Sequence, residues 1–168
     1  MNVRFWRKNM QIITYQEKYK QQIIDLILGI QNNEAKINLS LEEQPDLLDI
    51  TTCYEKDGGE FWLAVEGDTL IGTLALMNKG NGNAVLKKGF VRADYRKQGI
   101  LGKLYATLQE FAKEQGLTTF VFDTPSVATN CHSFFEKRGY RRIKKDELPF
   151  PYDFPDRDSY LYMMQQQS

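Results

Sequence analysis

The stretch that most constrains the fold of this chain runs from Phe90 to Lys103 and reads FVRADYRKQGILGK. An apolar strand is predicted to end at Val91, a basic turn follows, and Gly99 opens a long helix with apolar residues at helical spacing. The first turn of a helix leaves backbone N–H groups without helical acceptors, and the helix dipole adds positive potential there. Glycine allows close approach to that backbone. The stretch therefore predicts an anion site between a strand and a helix.

The distribution of charge supports an anion site in this stretch. The chain carries 22 basic and 22 acidic residues, so its formal net charge is zero. That balance disfavours nucleic-acid binding through a general basic surface. Residues 87–103 are nevertheless strongly basic, with Lys87, Lys88, Arg92, Arg96, Lys97 and Lys103 against Asp94 alone. A solvated helix start without a ligand remains the alternative for this stretch taken by itself.

Two other phosphate-binding motifs are excluded by spacing. A P-loop needs four residues between its glycines and Ser or Thr after the lysine. Here two residues separate Gly99 from Gly102, and Leu104 follows Lys103. A Rossmann fingerprint also fails, because the first βα unit lacks G-x-G-x-x-G.

Composition predicts one soluble domain. With 168 residues and 42% hydrophobic content, residues 10–168 can bury a substantial core as a single domain. Residues 1–9 form a basic, aromatic N-terminal arm, interpreted as an extended terminus or as a docking arm for a partner or second subunit, which leaves a homodimer open. Cys53 and Cys131 lie far apart and have no zinc-type spacing. That spacing leads us to expect no metal. We see no membrane span or signal peptide, so we also expect a cytoplasmic protein.

Periodicity and turn residues predict a mixed α/β chain. The predicted strands are 11–14, 60–66, 69–77, 84–91, 117–122 and 159–164, with a short strand after Gly139. The predicted helices are 17–30, 99–115 and 126–138, with a short helix from the capping-box signature at Ser40 that is interrupted or restarted at Pro45. Residues 145–158 are predicted to form a long loop. The short turns between 60 and 91 favour an antiparallel meander.

Two segments resemble the motifs of the GNAT N-acetyltransferase superfamily. Residues 91–102 resemble motif A, V-x-P-x-Y-R-x-x-G-x-G/A, with matches at Val91, Tyr95, Arg96 and Gly99. Ala93 replaces the usual proline, and Leu101 takes the second small-residue position, with Gly102 one step later. Residues 131–143 resemble motif B, A-x-x-F-Y-E-K-x-G-F, with matches at Phe134, Glu136, Lys137 and Gly139 and with Tyr140 as the aromatic residue. The wider resemblance covers roughly residues 11–164 and includes IQNNE at 30–34, QPDL at 44–47, FWLA at 61–64 and GTLAL at 72–76.

The resemblance implies a central, mostly antiparallel, splayed sheet of about seven strands flanked by about four helices. It also implies acetyl-CoA as co-substrate, with the pantetheine arm between the strand ending at Val91 and the strand ending at Asp123. Backbone groups near Phe90 to Arg92 would bond that arm like an added strand. The implied cofactor-binding residues are Phe90, Val91, Arg92, Arg96, Lys97, Gln98, Gly99, Ile100, Leu101, Gly102, Lys103, Asn130, Ser133 and Phe135.

The family's reaction is direct attack of a free amine on the thioester, which a base assists. Candidates for that base are Glu34, Glu60 and Asp123, because their predicted positions lie at the open end of the groove between the two strands that would hold the pantetheine arm. The alternatives are solvated carboxylates for the two glutamates and a helix cap for Asp123.

The thiolate that leaves often receives a proton from a motif B tyrosine, and Phe135 stands at that position here. Tyr160, Tyr162 or Ser133 is a candidate replacement. A pairing of His132 with Cys131 is disfavoured, because adjacent helical positions do not face each other.

Acidic segments predict a cationic acceptor. Residues 31–50 and residues 146–158 each carry a net charge of −4, so we expect a small amine, a polyamine or a lysine or N-terminal peptide amine. Ordinary solvated loops are the alternative. Phe135 and Leu101 also leave open a second function, an acyl-CoA-binding or sensing module without efficient turnover.

Overall fold

The computed structural model describes residues 9–154 and 158–167, and within them the chain forms a seven-stranded sheet. The strands are β1 (Met10–Thr14), β2 (Glu60–Glu66), β3 (Thr69–Gly80), β4 (Asn83–Val91), β5 (Thr119–Pro125), β6 (Arg141–Ile143) and β7 (Ser159–Gln165). Their order across the sheet is β1-β2-β3-β4-β5-β7-β6. The predicted mixed α/β fold with about seven strands is confirmed. Of the predicted N-terminal arm, residues 1–8 lie outside the described residues.

Three α-helices occur in the part of the chain that the structure describes. They are α1 (Lys20–Gly29), α2 (Ile100–Glu114) and α3 (Thr129–Glu136). Shorter turns complete the helical content: 3₁₀ turns at Glu17–Tyr19, Pro45–Leu48, Ala93–Tyr95 and Lys145–Glu147, and π-helical turns at Ile30–Glu34 and Thr51–Glu55.

The segment after Ser40 differs from its prediction. The capping-box bonds form, since Ser40 N donates to Glu43 Oε2 at 2.9 Å and Glu43 N donates to Ser40 Oγ at 3.3 Å. The α-helix expected there does not follow, and the chain instead makes a 3₁₀ turn at Pro45–Leu48. Proline lacks an N–H and disfavours helical backbone in the residue before it, which here is Gln44 with a ψ of 60°.

The boundary between β5 and α3 also moves. The strand continues to Pro125, which pairs with Ser159 of β7, and α3 starts at Thr129 rather than at residue 126. Asp123 therefore lies inside a strand and not at a helix cap. The pairing with β7, distant in sequence, extends the strand past the point that local pattern indicates.

The sheet consists of two antiparallel halves joined by one parallel seam. Strands β1 to β4 form a meander, and β5, β7 and β6 pair antiparallel. The seam pairs Asn83, Ala84 and Val85 of β4 with Thr119, Phe120 and Val121 of β5. Past that seam, residues 86–91 of β4 and residues 122–125 of β5 carry no mutual pairing among the described strands. We call the space between them the strand gap, and it confirms the expected splay.

A β-bulge at Lys88 shapes the β4 side of the strand gap. Thr73 pairs with Phe90 and Ala75 pairs with Lys87, so Lys88 and Gly89 of β4 lie opposite the single residue Leu74 of β3. Lys88 has a φ of +57°, and the Thr73 hydroxyl donates to its carbonyl at 2.6 Å. Bulges re-aim side chains, and this one directs Lys88 toward the linker before β2.

Each face of the sheet has its own buried core. Leu104 and Leu108 of α2 pack with the β2–β5 residues on one face. Ile23 and Ile27 of α1 pack with the opposite face of β2 and β3. Hydrophobic burial of these stripes holds both helices against the sheet and fixes where their ends lie.

Candidate functional site

The turn after β4 forms a backbone cradle. Arg92 N donates to Ile71 O at 2.8 Å, which ends the strand, and the chain then turns through Ala93–Tyr95. The first backbone bond of α2 runs from Lys103 N to Gly99 O at 3.1 Å. The N–H groups of residues 100–102 therefore precede the bonded part of the helix, and they point away from its body. This is the geometry of an anion-binding helix start.

Two residues in left-handed conformation bend this turn. Lys97 has a φ of +64° and Gly99 a φ of +80°. A Cβ built on Gly99 would meet nothing within 4 Å, so the backbone there is open to an approaching ligand. Glycine takes this conformation without the steric cost that other residues incur.

Three basic residues lie near the cradle: one in the turn, one in α2 and one just after α3. Lys97 and Lys103 are exposed beside it. Arg138, which follows α3, approaches the first turn of α2, because a Cβ on Gly102 would lie 3.7 Å from its Nη2. The Arg138 guanidinium lies 3.5 Å from the ring centre of Phe134 and donates to the Phe134 carbonyl at 2.9 Å. Arg138 was not among the residues predicted from the sequence. Its position four residues after Phe134 was the available signal, because that spacing places two side chains on one face of a helix.

The predicted cofactor-binding residues fall into two groups. Phe90 to Lys103 are contiguous along the end of β4, the turn and the start of α2. Asn130 and Ser133 are exposed on α3, which follows β5 on the other side of the strand gap. Phe135 is buried, with its ring centre 4.6 Å from that of Phe122, and so belongs to the aromatic core.

A family model described as Acetyltransferase (GNAT) family matches residues 26–140. The chain belongs to the GNAT family of acetyltransferases. The family predicted from the two sequence motifs is confirmed.

Solved GNAT structures share the whole fold. An acetyltransferase from Streptococcus agalactiae is 36% identical, covers 95% of this chain and 99% of its own, and has a TM-score of 0.90. The PaiA N-acetyltransferase from Thermoplasma acidophilum, solved in complex with coenzyme A, is 15% identical, with coverage of 94% and 99% and a TM-score of 0.74. At that identity the likeness concerns the fold alone.

A curated relative covers a smaller part of the chain. The probable N-acetyltransferase family 8 member 5 of Mus musculus is 30% identical over 107 residues, which are 61% of this chain and 47% of the mouse protein. The chain thus spans about half the length of the curated relatives it matches.

The cradle of this GNAT chain fits the diphosphate of coenzyme A. The open backbone at Gly99 and the helix N-terminus supply N–H donors, and Lys97, Lys103 and Arg138 add positive charge near them. No cluster of His, Cys, Asp and Glu among the described residues could hold a metal ion. In the same part of the chain, no helix combines the length and the apolar character that a membrane span requires.

Glu34 is tied to the cradle. Its carboxylate lies 2.7 Å from Arg96 Nη1, and Arg96 Nε donates to Val91 O at 3.0 Å. One predicted base and one predicted cofactor residue therefore form an ion pair. The pair links the π-helical turn after α1 to the last residue of β4.

Asp123 lies on the β5 side of the strand gap. Its carboxylate accepts a hydrogen bond from the Tyr152 hydroxyl. Burial, with the Asp123 charge, raises the pKa of Tyr152 far above its usual range, so this hydroxyl keeps its proton. Val121, two residues earlier and on the same face, packs beside Tyr152.

The other two catalytic candidates lie on β2 and β7, strands that do not border the strand gap. Glu60 opens β2, and β3 separates that strand from β4. Burial raises the pKa of Glu60, whose Oε1 accepts the Phe61 N–H at 3.0 Å. Tyr160 lies on β7 opposite Thr124, with the Arg142 guanidinium 3.6 Å from its ring centre.

Two other polar side chains, Tyr162 of β7 and His132 of α3, have local partners. The Tyr162 hydroxyl donates to Glu136 Oε2 at 3.0 Å. His132 Nε2 lies 3.0 Å from the Pro125 carbonyl, and its ring packs 5.5 Å from that of Tyr160. Burial raises the pKa of the Cys131 thiol, which keeps it protonated.

A buried polar cluster beside the strand gap was missed from sequence. It consists of Gln31, Gln44, Asp46, Tyr54 and Lys88. Gln31 and Gln44 exchange two amide hydrogen bonds at 3.0 and 2.8 Å. The sequence segments around these glutamines resembled the family, but nothing local in them indicated that they would meet Lys88.

Three acids of the first acidic segment have partners of their own. Glu34 pairs with Arg96, Asp46 accepts the Tyr54 hydroxyl, and Asp49 accepts the Thr52 N–H at 3.3 Å. Of the second acidic segment, residues 155–157 lie outside the described part of the chain. The cationic acceptor stays a prediction.

Proposed function

We propose that this protein is an acetyl-CoA-dependent N-acetyltransferase that moves an acetyl group to a primary amine by direct attack. The observation that carries the proposal is the basic backbone cradle at Gly99, set at the end of a strand that has left its neighbour. Membership of the GNAT family supports the reaction class. The PaiA N-acetyltransferase structure, which holds coenzyme A on the same fold, supports the cofactor.

Different groups of the chain would bind the phosphates and the pantetheine arm of acetyl-CoA. Lys97, Lys103 and Arg138 would hold the phosphates together with the N–H groups of residues 100–102. The backbone of residues 86–91, which lies outside the pairing with β5, would bond the pantetheine arm as an added strand does. An N–H in that segment would bind the carbonyl oxygen on which negative charge develops. Acetyl-CoA supplies an activated acetyl group, and its thiol, of pKa ~8.5, leaves readily.

The amine must lose a proton before it attacks. An amine of pKa ~10.4 is about three units above neutrality, so the neutral form costs roughly 4 kcal/mol. We assign the proton to the Asp123 carboxylate, directly or through water, because Asp123 borders the strand gap. The ion pair with Arg96 gives Glu34 a positioning role. Glu60 is separated from β4 by β3.

The acceptor class includes small amines, polyamines and the amines of lysine or of a peptide N-terminus. The acidic content of residues 31–50 and 146–158 supports a cationic amine. A cytoplasmic location is part of the same proposal.

A second function is supported by one observation. Phe135 occupies the position of the motif B tyrosine and is buried in the aromatic core, so no hydroxyl is present there. An acyl-CoA-binding or sensing module without efficient turnover would tolerate that substitution.

Two measurements test the proposal. Calorimetry compares acetyl-CoA with acetyl-pantetheine, which lacks the diphosphate, and a thiol-release assay follows turnover over a panel of amines. We expect tight binding of acetyl-CoA but not of acetyl-pantetheine, and thiol release that depends on the amine. Binding without thiol release for any amine would favour the sensing module. The absence of acetyl-CoA binding would exclude both functions.

A further inference from the structure

Lys88 places a positive charge beside the strand gap, against the linker that precedes β2. Its side chain is 11% exposed, although it belongs to the part of β4 that has left β5. The bulge at this residue turns the side chain toward Gln44 and Asp46 of the linker before β2. A largely buried lysine at this point is unusual, because removing an ammonium from water is strongly unfavourable.

The protein compensates this charge incompletely. Lys88 Nζ donates to Gln44 Oε1 at 2.6 Å, and an ammonium has three donors. The Asp46 carboxylate is 3.7 Å away and accepts the Tyr54 hydroxyl at 2.6 Å. Burial lowers the pKa of Lys88, even though the carboxylates of Asp46 and Asp123 act to raise it. With one hydrogen bond from its three donors and the nearest carboxylate at 3.7 Å, the ammonium would stabilise a further anion placed beside it.

The surrounding groups hold Lys88 in a fixed place. The paired amides of Gln31 and Gln44 fix the oxygen that Lys88 contacts. Tyr54 fixes Asp46 in the same way. Such support from buried neighbours is characteristic of a side chain that is preorganised for a ligand.

We propose that Lys88 binds a carboxylate of the acceptor, which makes the acceptor an amino acid. The inference rests on the proposed function and narrows its acceptor class. In an amino acid, one carbon separates the amine from the carboxylate, so the amine faces the Asp123 side of the strand gap while the carboxylate faces Lys88. A polyamine would instead bring a second cation toward the buried ammonium, where like charges repel.

Matched acceptor pairs test this proposal. Free amino acids are compared with their primary amides, which keep the amine and lose the carboxylate, and spermidine represents the polyamines. Steady-state thiol release from acetyl-CoA gives kcat and KM. The wild-type protein should prefer an amino acid over its amide by about tenfold or more in kcat/KM.

Substitutions assign that preference to Lys88. Lys88→Met should remove it, mainly by raising KM for the amino acids, while the amides react as before. Lys88→Arg, which keeps the charge, should retain part of the preference. Lys79→Met, which removes an exposed lysine at the far end of β3, should leave it unchanged. Calorimetric affinity for acetyl-CoA shows whether each variant is folded.

Several results would overturn the proposal. One is that the wild-type protein prefers the amides or spermidine to the amino acids. Another is that Lys88→Met loses activity equally toward the amino acids and their amides. If no acceptor supports thiol release, the proposed function fails. The binding of amino acids to Lys88, measured by NMR, then tests the present inference by itself. The NMR signal of the Lys88 ammonium, assigned by its loss in Lys88→Met, should shift with amino acids and not with amides in the presence of coenzyme A. If neither the amino acids nor the amides shift this signal, the proposed binding of a carboxylate by Lys88 is rejected.

Discussion

At Gly99 the backbone has a φ of +80°, and a Cβ there would project into the space that the cradle leaves open. Gly99→Ala should weaken acetyl-CoA binding by about tenfold, because the methyl group enters the path of the anion. It should also lower the stability of the fold, because left-handed backbone costs other residues ~1–2 kcal/mol. Calorimetry measures the change.

Gly116→Ala is the matched control for Gly99→Ala. Gly116 lies just past the other end of α2 and has a φ of +70°, and a Cβ on it would likewise meet nothing within 4 Å. Its substitution should lower thermal stability by a similar amount and leave the affinity for acetyl-CoA intact. Equal affinity losses in the two variants would show that strain, and not the anion site, causes the effect.

Asp123→Asn tests the assignment of the base. The amide still accepts the Tyr152 hydroxyl, so the local structure should persist, while the group can no longer take a proton. We expect kcat to fall by ~10²-fold or more and the affinity for acetyl-CoA to stay constant. Glu34→Gln, which removes the ion pair with Arg96, should lower kcat less. A larger loss in Glu34→Gln would transfer the role of base to Glu34.

Residues differ in how far the sequence predicted their place. Gly99 and Arg96 were predictable, because glycine and basic residues in a turn between a strand and a helix have a local meaning. Lys88 was counted only as one basic residue among several. Its position depends on a bulge in β4 and on Gln44, a contact across 44 residues that no local pattern encodes.

Gly59 allows β2 to begin beside β3. A Cβ on Gly59 would lie 2.0 Å from the carbonyl oxygen of Leu76, a backbone atom that cannot move without displacing the strand. Gly59→Ala should therefore lower the free energy of unfolding by more than ~2 kcal/mol, measured in urea. Gly29→Ala, at the end of α1 with open space around it, should raise that free energy by ~0.5–1 kcal/mol. A Gly59→Ala variant as stable as wild type would contradict the packing described for this junction.

Elements with their own apolar stripe were predictable from sequence. The periodicity of α1 and α2 located both helices, since each buries one face against the sheet. The signature at Ser40 misled, because its reciprocal bonds also form in a turn that Pro45 prevents from continuing as an α-helix. The late start of α3 depends on the pairing of Pro125 with β7, which is a property of the sheet.

At the scale of the whole molecule, acetyl-CoA should stabilise the fold by mass action. At about a hundredfold excess over its Kd, the ligand adds ~2.7 kcal/mol. For a chain of 168 residues this raises Tm by roughly 5–10 °C. Scanning calorimetry with acetyl-CoA and with acetyl-pantetheine measures the shift. Equal shifts with both ligands would show that the cradle does not contribute to binding.

The parallel seam between β4 and β5 also has a consequence for how the protein is made. Strands β1 to β4 come from residues 10–91 and pair with their neighbours in sequence, whereas β5 to β7 come from residues 119–165. Because these pairings all lie within one continuous segment, we expect the first half to form its meander during synthesis, before the second half has left the ribosome. The strand gap has only one wall until β5 docks. Cofactor binding is therefore a measure of the assembly of the two halves, and not of the folding of either one.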